Sequence, residues 1–191
     1  MNGGAQPQIK GSVLLSRRAY LKDRGGDALF QRVVGRLPDP DRAAIEATLL
    51  ATSWYPLALN LRLDDAIADE LSTGNRSQVF IEMGRASAEQ NLKTVHQAFV
   101  RDGDPHYLLS NAPRIYRLYY AVGYRTYERV SSNSATLRTF DAESVTATDC
   151  MTVVGWHQRA IELCGGKNVA VAEMVCRSRG GAHCEYRCAW A

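Results

Sequence analysis

The cysteines of this chain are concentrated near its C-terminal end. Four of the five lie between Cys164 and Cys188, and the fifth, Cys150, opens the segment that leads into them. An odd cysteine count in a chain without a signal-peptide pattern favours thiols or metal ligands over a disulfide framework. The fold therefore has to bring several soft ligands together within the last forty residues.

The pattern around these cysteines predicts two β-hairpins separated by a helix. Residues 124–130 and 135–140 alternate and are rich in β-branched and aromatic side chains on either side of a Ser/Asn turn. A helix follows over about 146–163, and two further strands over 168–177 and 183–190 flank a Gly-Gly turn. These strands suffice for one antiparallel sheet of about four strands.

The sequence before residue 124 predicts helices. Apolar residues recur at helical spacing in several segments, the longest of which runs from about 78 to 100. Gly84, Ala86 and Ala88 in its middle would let another helix approach closely. We expect a single α+β domain over 11–191, with an N-terminal helical layer packed on the antiparallel sheet, after a flexible tail over 1–10.

Composition excludes several classes of function. A formal net charge of +3 is too small to favour nucleic acid, and no stretch of 18 apolar residues predicts a membrane span. A glycine-rich phosphate loop, a nucleophile elbow and a helical His-x-x-x-His pair are all missing from the sequence. We therefore expect a non-catalytic, cytoplasmic protein with no catalytic residues.

The cysteine spacing is compatible with a metal site. With a turn centred on Gly180-Gly181, Cys176 falls almost opposite Cys184, within reach of one ion. Together with Cys150 and Glu173 they would complete a closed tetrahedral zinc site, which is typical of structural zinc. Glu173 precedes Cys176 by three residues, so the two share a strand face only if a bulge or a bend intervenes.

Alternatives to this ligand set remain open. His183 can replace Glu173 as the fourth ligand, and Cys188 is a further candidate. The cysteines can also be small buried side chains that line the inward face of a strand, which is common for free Cys.

The pattern Cys150-x22-Glu173-x2-Cys176-x7-Cys184, with Val-Gly-Trp after the first cysteine, resembles the zinc-binding tail of the vinyl-reductase-type domain in phenol-sensing activators. That resemblance implies a structural zinc beside a cavity for an aromatic effector.

A longer resemblance covers nearly the whole chain. The segments Ser53-Trp-Tyr-Pro, Glu82-Met-Gly-Arg-Ala-Ser-Ala-Glu-Gln-Asn-Leu and Cys176-Arg-Ser-Arg-Gly-Gly resemble a myxobacterial family of proteins of roughly 200 residues. That family is similar in fold to vinyl-reductase-type domains, heme-NO-binding domains and small TRAPP tethering subunits. The resemblance implies this fold and a homodimer, but it implies little about function.

Two functional hypotheses follow. The first is a sensor domain that binds a small apolar ligand in a cavity and signals through a protein partner. The second is a protein-protein adaptor without a small ligand. Candidate pocket residues for the first are Phe80, Met83, Phe99, His106, Met151, Trp156 and Tyr186.

A heme-based gas sensor is a minor alternative. It requires an axial histidine, for which His96 and His106 are the candidates. The Tyr-x-Ser-x-Arg motif that heme-NO-binding domains use for the heme propionates does not occur in the sequence. We therefore expect zinc rather than heme as the cofactor.

Overall fold

A computed structural model describes residues 6–142 and 149–191. The first part of the chain is mainly helical and contains, in order, β1 (Gln8–Lys10), α1 (Gly11–Val34), α2 (Asp39–Glu46), β2 (Trp54–Pro56), α3 (Leu57–Leu71), α4 (Arg76–Leu92), α5 (Pro105–Ser110) and α6 (Ala112–Tyr119). The remainder contains β3 (Tyr124–Ser131), β4 (Ser134–Phe140), α7 (Asp149–Leu163), β5 (Ala170–Val175) and β6 (Cys184–Ala189).

The predicted hairpins share one antiparallel sheet. Its strand order is β3-β4-β6-β5, so the two hairpins join along β4 and β6, where Leu137 pairs with Tyr186. Both of these side chains are buried, as expected for the sheet face that carries the apolar residues. The predicted α+β architecture, a helical layer on an antiparallel sheet of four strands flanking a helix, is confirmed.

Helix α4 links the two main parts of the hydrophobic core. One cluster of buried side chains fills the space between α1, α3 and the start of α4. A second lies between the end of α4, helix α7 and the sheet. The longest predicted helix thus contributes to both layers.

The crossing of α4 and α7 depends on glycine. A Cβ atom on Gly84 would lie 2.0 Å from the carbonyl oxygen of Thr152, and one on Gly155 would lie 2.0 Å from that of Ile81. The two helix backbones are therefore in direct contact, as the small residues in the middle of α4 predict. This contact fixes the start of α7, where Cys150 lies.

Three predicted boundaries need correction or fall outside the described residues. Residues 8–10 of the expected flexible tail form β1, which pairs with β2, because Ile9 is fully buried. The long helix ends at Leu92 rather than near residue 100, since the carbonyl oxygen of Asn91 accepts hydrogen bonds from the backbone N–H groups of Thr94 and His96 in a turn. The expected start of α7 at 146 lies outside the described residues.

Candidate metal centre and adjoining cleft

The four predicted metal ligands lie together in the structure. One ligand atom from each of Cys150, Glu173, Cys176 and Cys184 lies within 4.8 Å of the others; we call these four residues the metal cluster. Cys150 Sγ is 3.6 Å from Cys176 Sγ and 3.8 Å from Cys184 Sγ. Thiolates around a tetrahedral zinc, with Zn–S bonds of about 2.3 Å, would lie about 3.8 Å apart. The spacing of the sulfurs therefore suits one tetrahedral ion.

A β-bulge in β5 places Glu173 in this cluster. Glu173 pairs with Tyr186 whereas Val175 pairs with Glu185, so Met174 is an additional residue on the β5 side. This extra residue reverses the alternation of the side chains that follow it along the strand. Glu173 and Cys176 consequently share a face, which a regular strand with this spacing would not allow.

A tight turn after β5 brings Cys184 back to Cys176. The backbone N–H of Gly181 donates to the carbonyl oxygen of Cys176 at 2.9 Å, and Gly180 has a φ of +88°. Glycine adopts this left-handed conformation at little steric cost. The turn therefore fixes the distance between two of the ligands.

Hydrogen bonds surround the cluster. The backbone N–H of Arg177 donates to Cys184 Sγ at 3.4 Å, and Ser178 Oγ is 3.0 Å from Cys176 Sγ. Arg179 donates to Glu173 Oε2 at 2.6 Å, which orients the carboxylate. Such outer contacts hold metal ligands in position.

Glu173 has one carboxylate oxygen left for an ion. Its side chain is only 3% exposed, and its Oε1 atom is buried without a hydrogen-bond partner within the part of the chain that the structure describes. A buried acceptor without a partner is costly, and a bound cation would satisfy it. The residues present therefore fit a metal.

The Cys150 thiol favours its protonated form when no metal is bound. Its hydrogen bond with Cys184 and its burial raise the pKa of the Cys150 thiol far above the ordinary range. A bound metal reverses this preference, because a coordinating thiol is deprotonated by the charge of the ion.

The alternative ligands lie elsewhere. Cys188 is buried in β6 between its paired residues Ala135 and Val171, and burial raises the pKa of its thiol to about 12. His183 packs on Phe140, with ring centroids 5.0 Å apart, outside the cluster. Cys164 is a buried core residue whose thiol pKa is also raised by burial. Among the described residues, Glu173 is thus the candidate fourth ligand beside the three cysteines.

A cleft with two lobes adjoins the metal cluster. The lobes share the side chains of Arg17, Tyr116, Tyr120 and Arg125, together with Thr152 and Val153 of α7. The first lobe extends to Val13, Gly84, Ser87, Ile115, Tyr119, Trp156 and His157. The second extends towards the sheet and reaches Cys150, Cys184 and Tyr186.

The cleft is small. The space open to the centre of a water molecule is about 50 Å³ in the first lobe and about 70 Å³ in the second. One water molecule needs roughly 10–15 Å³ on this measure. Each lobe therefore accommodates a few water molecules or a comparably small part of a ligand.

A buried ion pair forms one wall of the cleft. Arg17 Nε and Nη2 donate to the two carboxylate oxygens of Asp64 at 2.6 and 3.0 Å, and Asn60 donates to the same carboxylate at 3.1 Å. Both charged side chains are 4% exposed. The remaining nitrogen of Arg17, Nη1, is buried and has no hydrogen-bond partner.

Arg125 and His157 form the opposite wall. The Nδ1 atom of His157 lies 2.8 Å from the carbonyl oxygen of Val153, so Nδ1 carries the proton and Nε2 accepts from Arg125 Nη1 at 3.4 Å. Burial, and secondly the charge of Arg125, lower the pKa of His157 to about 3. His157 is therefore neutral at physiological pH.

Tyr186 connects the metal cluster to this wall. Its hydroxyl hydrogen-bonds with Cys150, and its ring is stacked on His157 with centroids 6.3 Å apart and planes inclined by 14°. Tyr186 is 2% exposed, so it cannot move without disturbing both neighbours. A change in the cleft at His157 thus has a direct contact path to a metal ligand.

The structure separates the predicted pocket residues. Trp156 lines the first lobe and Tyr186 the second. The other five lie away from these lobes: Phe80 and Met83 fill the core beside α1 and α3, Phe99 packs near Ile9 and Tyr119, Met151 packs between the two main core clusters, and His106 joins α5 to the hairpin. Sequence reasoning did not select Arg17, Arg125 or His157 as cleft residues.

Neither histidine considered as a heme ligand reaches the cleft. Both ring nitrogens of His106 are occupied, Nδ1 by the Tyr127 hydroxyl at 2.8 Å and Nε2 by the carbonyl oxygen of Ser131 at 2.9 Å. His96 packs against Phe99 and Tyr119. His157 does line the cleft, but its Nε2 faces the Arg125 guanidinium. With so little space in the lobes, the described residues do not fit a porphyrin.

Comparison with solved structures shows which fold this is. An H-NOX protein from S. oneidensis in the Fe(II)NO ligation state superimposes with a TM-score of 0.70 at 13% identity, covering 95% of this chain and 99% of that chain. An unliganded Fe(II) H-NOX protein from K. algicida gives a TM-score of 0.69 at 10% identity, covering 95% and 96%. At such low identity the likeness shows the fold alone. The expected relation in fold to heme-NO-binding domains is confirmed.

The family comparison covers most of the chain. No curated protein matches the sequence. A family model matches residues 24–191. This range includes all four residues of the metal cluster and every residue that lines the cleft except Val13 and Arg17 of α1. The chain therefore belongs to the family described as Protein of unknown function (DUF2378).

Proposed function

We propose that this protein is a non-catalytic sensor or regulatory domain in which a structural zinc stabilises the wall of a ligand-binding cleft. The observation that carries the proposal is the position of the metal cluster: Cys150 and Cys184 line the second lobe, so cluster and cleft share residues. Three sulfurs and a carboxylate form a closed ligand set typical of structural zinc rather than catalytic zinc.

Zinc would join three separate segments of the chain. Cys150 lies in the first turn of α7, Glu173 and Cys176 lie in and just after β5, and Cys184 begins β6. Coordination would hold α7 against the second hairpin. Because a preformed site rarely exists in an unfolded chain, the free energy of binding would add to the stability of this half of the domain.

Ligand binding would reach the metal cluster through Tyr186. A molecule in the cleft touches Arg125 or His157, His157 is stacked on Tyr186, and Tyr186 contacts Cys150. A ligand shifts a protein between states only by binding one of them more tightly. The proposal is that ligand binding changes the packing of α7 against the sheet and thereby alters a surface recognised by a protein partner.

A homodimer is part of the proposal. It rests on the family resemblance and on the exposure of apolar side chains on edge strand β3, where Tyr124 and Val130 are 42% and 61% exposed. Sedimentation equilibrium of the purified protein tests it, and a monomer at high micromolar concentration would contradict it. If the protein is a monomer, it would signal through a separate protein partner in the cytoplasm.

Two findings favour the sensor over the alternatives. An adaptor without a small ligand does not require a cleft lined by a buried arginine, Arg17, whose Nη1 atom has no hydrogen-bond partner among the described residues. For a heme-based gas sensor, the described residues offer no available axial histidine that faces a sufficient space.

Among the described residues, none of the helices is long and apolar enough to cross a membrane.

Metal analysis of the purified protein is the first experiment. Prepared under reducing conditions without chelators or affinity resins that carry metal, the protein should contain about one zinc ion per chain and show no Soret band. A chain that is folded and free of zinc would refute the structural role, and a stoichiometric Soret band would refute the assignment of the cofactor.

A further inference from the structure

The cleft contains more positive charge than its described acidic groups neutralise. Asp64 is bound by both Arg17 and Asn60, so it is occupied. Arg125 lies across the cleft, and its polar contacts are uncharged: Nε donates to Thr139 Oγ1 at 3.0 Å, and Nη1 faces His157. Among the described residues, Arg125 therefore has no carboxylate partner.

An unpaired donor on Arg17 and the charge of Arg125 point to an anion. Arg17 Nη1 is buried in a side chain that is 4% exposed, yet it has no hydrogen-bond partner. The guanidinium of Arg125 reaches the same two lobes. A guanidinium donor that is desolvated and unpaired is costly, and a carboxylate is the group that matches its geometry.

The surrounding side chains favour an aromatic body. The rings of Tyr116, Tyr119 and Trp156 line the first lobe with Ile115, and Tyr116 lies under the Arg125 guanidinium at 4.9 Å. Aromatic side chains around a small space favour a flat apolar molecule. The limited room restricts such a molecule to about one ring.

Charge disfavours dianions in the cleft. Asp64 lies in the same wall as Arg17, so a dianion such as phosphate would be repelled by that carboxylate while gaining one unpaired cation. Among the charged residues that are described in the cleft, Arg125 is the one without a charged partner, and a monoanion matches its charge.

We propose that the cleft binds a small aromatic monocarboxylate, with its carboxylate between Arg17 Nη1 and the Arg125 guanidinium and its ring in the lobe lined by Trp156 and Ile115. This inference rests on the proposed function, because it names the ligand class of the same cleft. Arg125 is the specificity-determining residue, since Arg17 is already engaged with Asp64.

Isothermal titration with benzoate and with its uncharged analogue benzamide tests the inference. The zinc-loaded protein should bind benzoate at least ten-fold more tightly than benzamide, because only benzoate pairs with Arg125. Arg125→Gln should lower the affinity for benzoate at least ten-fold and leave that for benzamide unchanged. Arg125→Lys keeps the charge but not the planar donor pair, so its affinity for benzoate should lie between those of the wild type and of Arg125→Gln.

Arg114→Gln is the matched control. Arg114, an exposed residue of α6, lies over the Phe99 ring and lines neither lobe, so its loss should leave both affinities unchanged. Thermal unfolding and zinc content of each variant establish that it is folded and loaded.

Three results would overturn the inference. Equal affinities for benzoate and benzamide would refute the proposed carboxylate position. The cleft would still bind a ligand, so the proposed function would stand. Preferential benzoate binding that survives Arg125→Gln would place the anion elsewhere. Binding of neither probe at millimolar concentration would refute the aromatic ligand class, whereas the structural zinc would still be tested by metal content.

Discussion

The metal cluster and the cleft are neighbours in space, but the chain builds them differently. The cluster draws all its ligands from the segment between residues 150 and 184, in which a bulge and a turn set the distances. The cleft takes Arg17 from α1, Asp64 from α3, Arg125 from β3 and His157 from α7. A local site can be read from spacing, whereas a site assembled from distant elements becomes visible only in the folded chain.

The largest effect is expected from removing a ligand of the metal cluster. Cys176→Ser should abolish zinc binding and lower the free energy of unfolding by about 4 kcal/mol or more, because the metal and folding are coupled. Cys188→Ser replaces an equally buried thiol outside the cluster and should retain zinc. Zinc content and urea unfolding are measured for both variants. Equal losses of zinc and of stability in the two variants would contradict the prediction.

In the cleft, the largest effect on stability should come from the buried ion pair. Asp64→Asn leaves the buried Arg17 charge without its counter-ion and should cost about 3–5 kcal/mol. Asp69→Asn removes an exposed partner of Arg76 and should cost at most about 1 kcal/mol.

Asp64→Asn should leave zinc bound, because neither Arg17 nor Asp64 contacts the cluster. Loss of zinc in this variant would show that the two regions are one cooperative unit rather than neighbours. Urea unfolding combined with metal analysis separates these outcomes.

A smaller, pH-dependent effect should come from His157. Burial and Arg125 lower its pKa to about 3, below the value of about 6.5 in an unfolded chain. The unfolded state therefore binds more protons between these values, and stability is complete above about pH 6.5 and falls as the pH is lowered. The loss should approach about 1.4 kcal/mol per pH unit.

His157→Gln isolates this contribution. The difference in unfolding free energy between the wild type and this variant should shrink steadily from pH 6.5 to pH 4.5. The variant keeps the zinc ligands, so any acid-induced loss of metal is common to both proteins. A difference that does not change with pH would show that His157 is not held neutral by the fold.

The sequence predicts the strands and the turn that bring the four residues of the metal cluster together. Alternation of Cys184, Tyr186 and Cys188 predicts the buried face of β6, and the Gly-Gly turn predicts that Cys176 lies near Cys184. The bulge at Met174 could not be located from spacing, because a bulge is a local irregularity that the ladder tolerates.

The cleft cannot be predicted from apolar periodicity, because its charged lining residues come from distant segments. Phe80 and Met83 were selected as lining, but large apolar side chains at helical spacing fill the core. The available signal was a charged residue within an apolar stripe: Arg17 lies between Leu14 and Leu21 on one face of α1, and all three are buried. A charge at such a position has to be paired, and its partner Asp64 is far away in sequence.

X-ray absorption at the zinc edge of the purified protein tests the central claim most directly. We predict three sulfur ligands at about 2.3 Å and one oxygen ligand at about 2.0–2.2 Å, with the oxygen lost in Glu173→Ala. A shell dominated by nitrogen or oxygen, or a shell that Glu173→Ala leaves unchanged, would contradict the assignment of Cys150, Glu173, Cys176 and Cys184 as a closed zinc site.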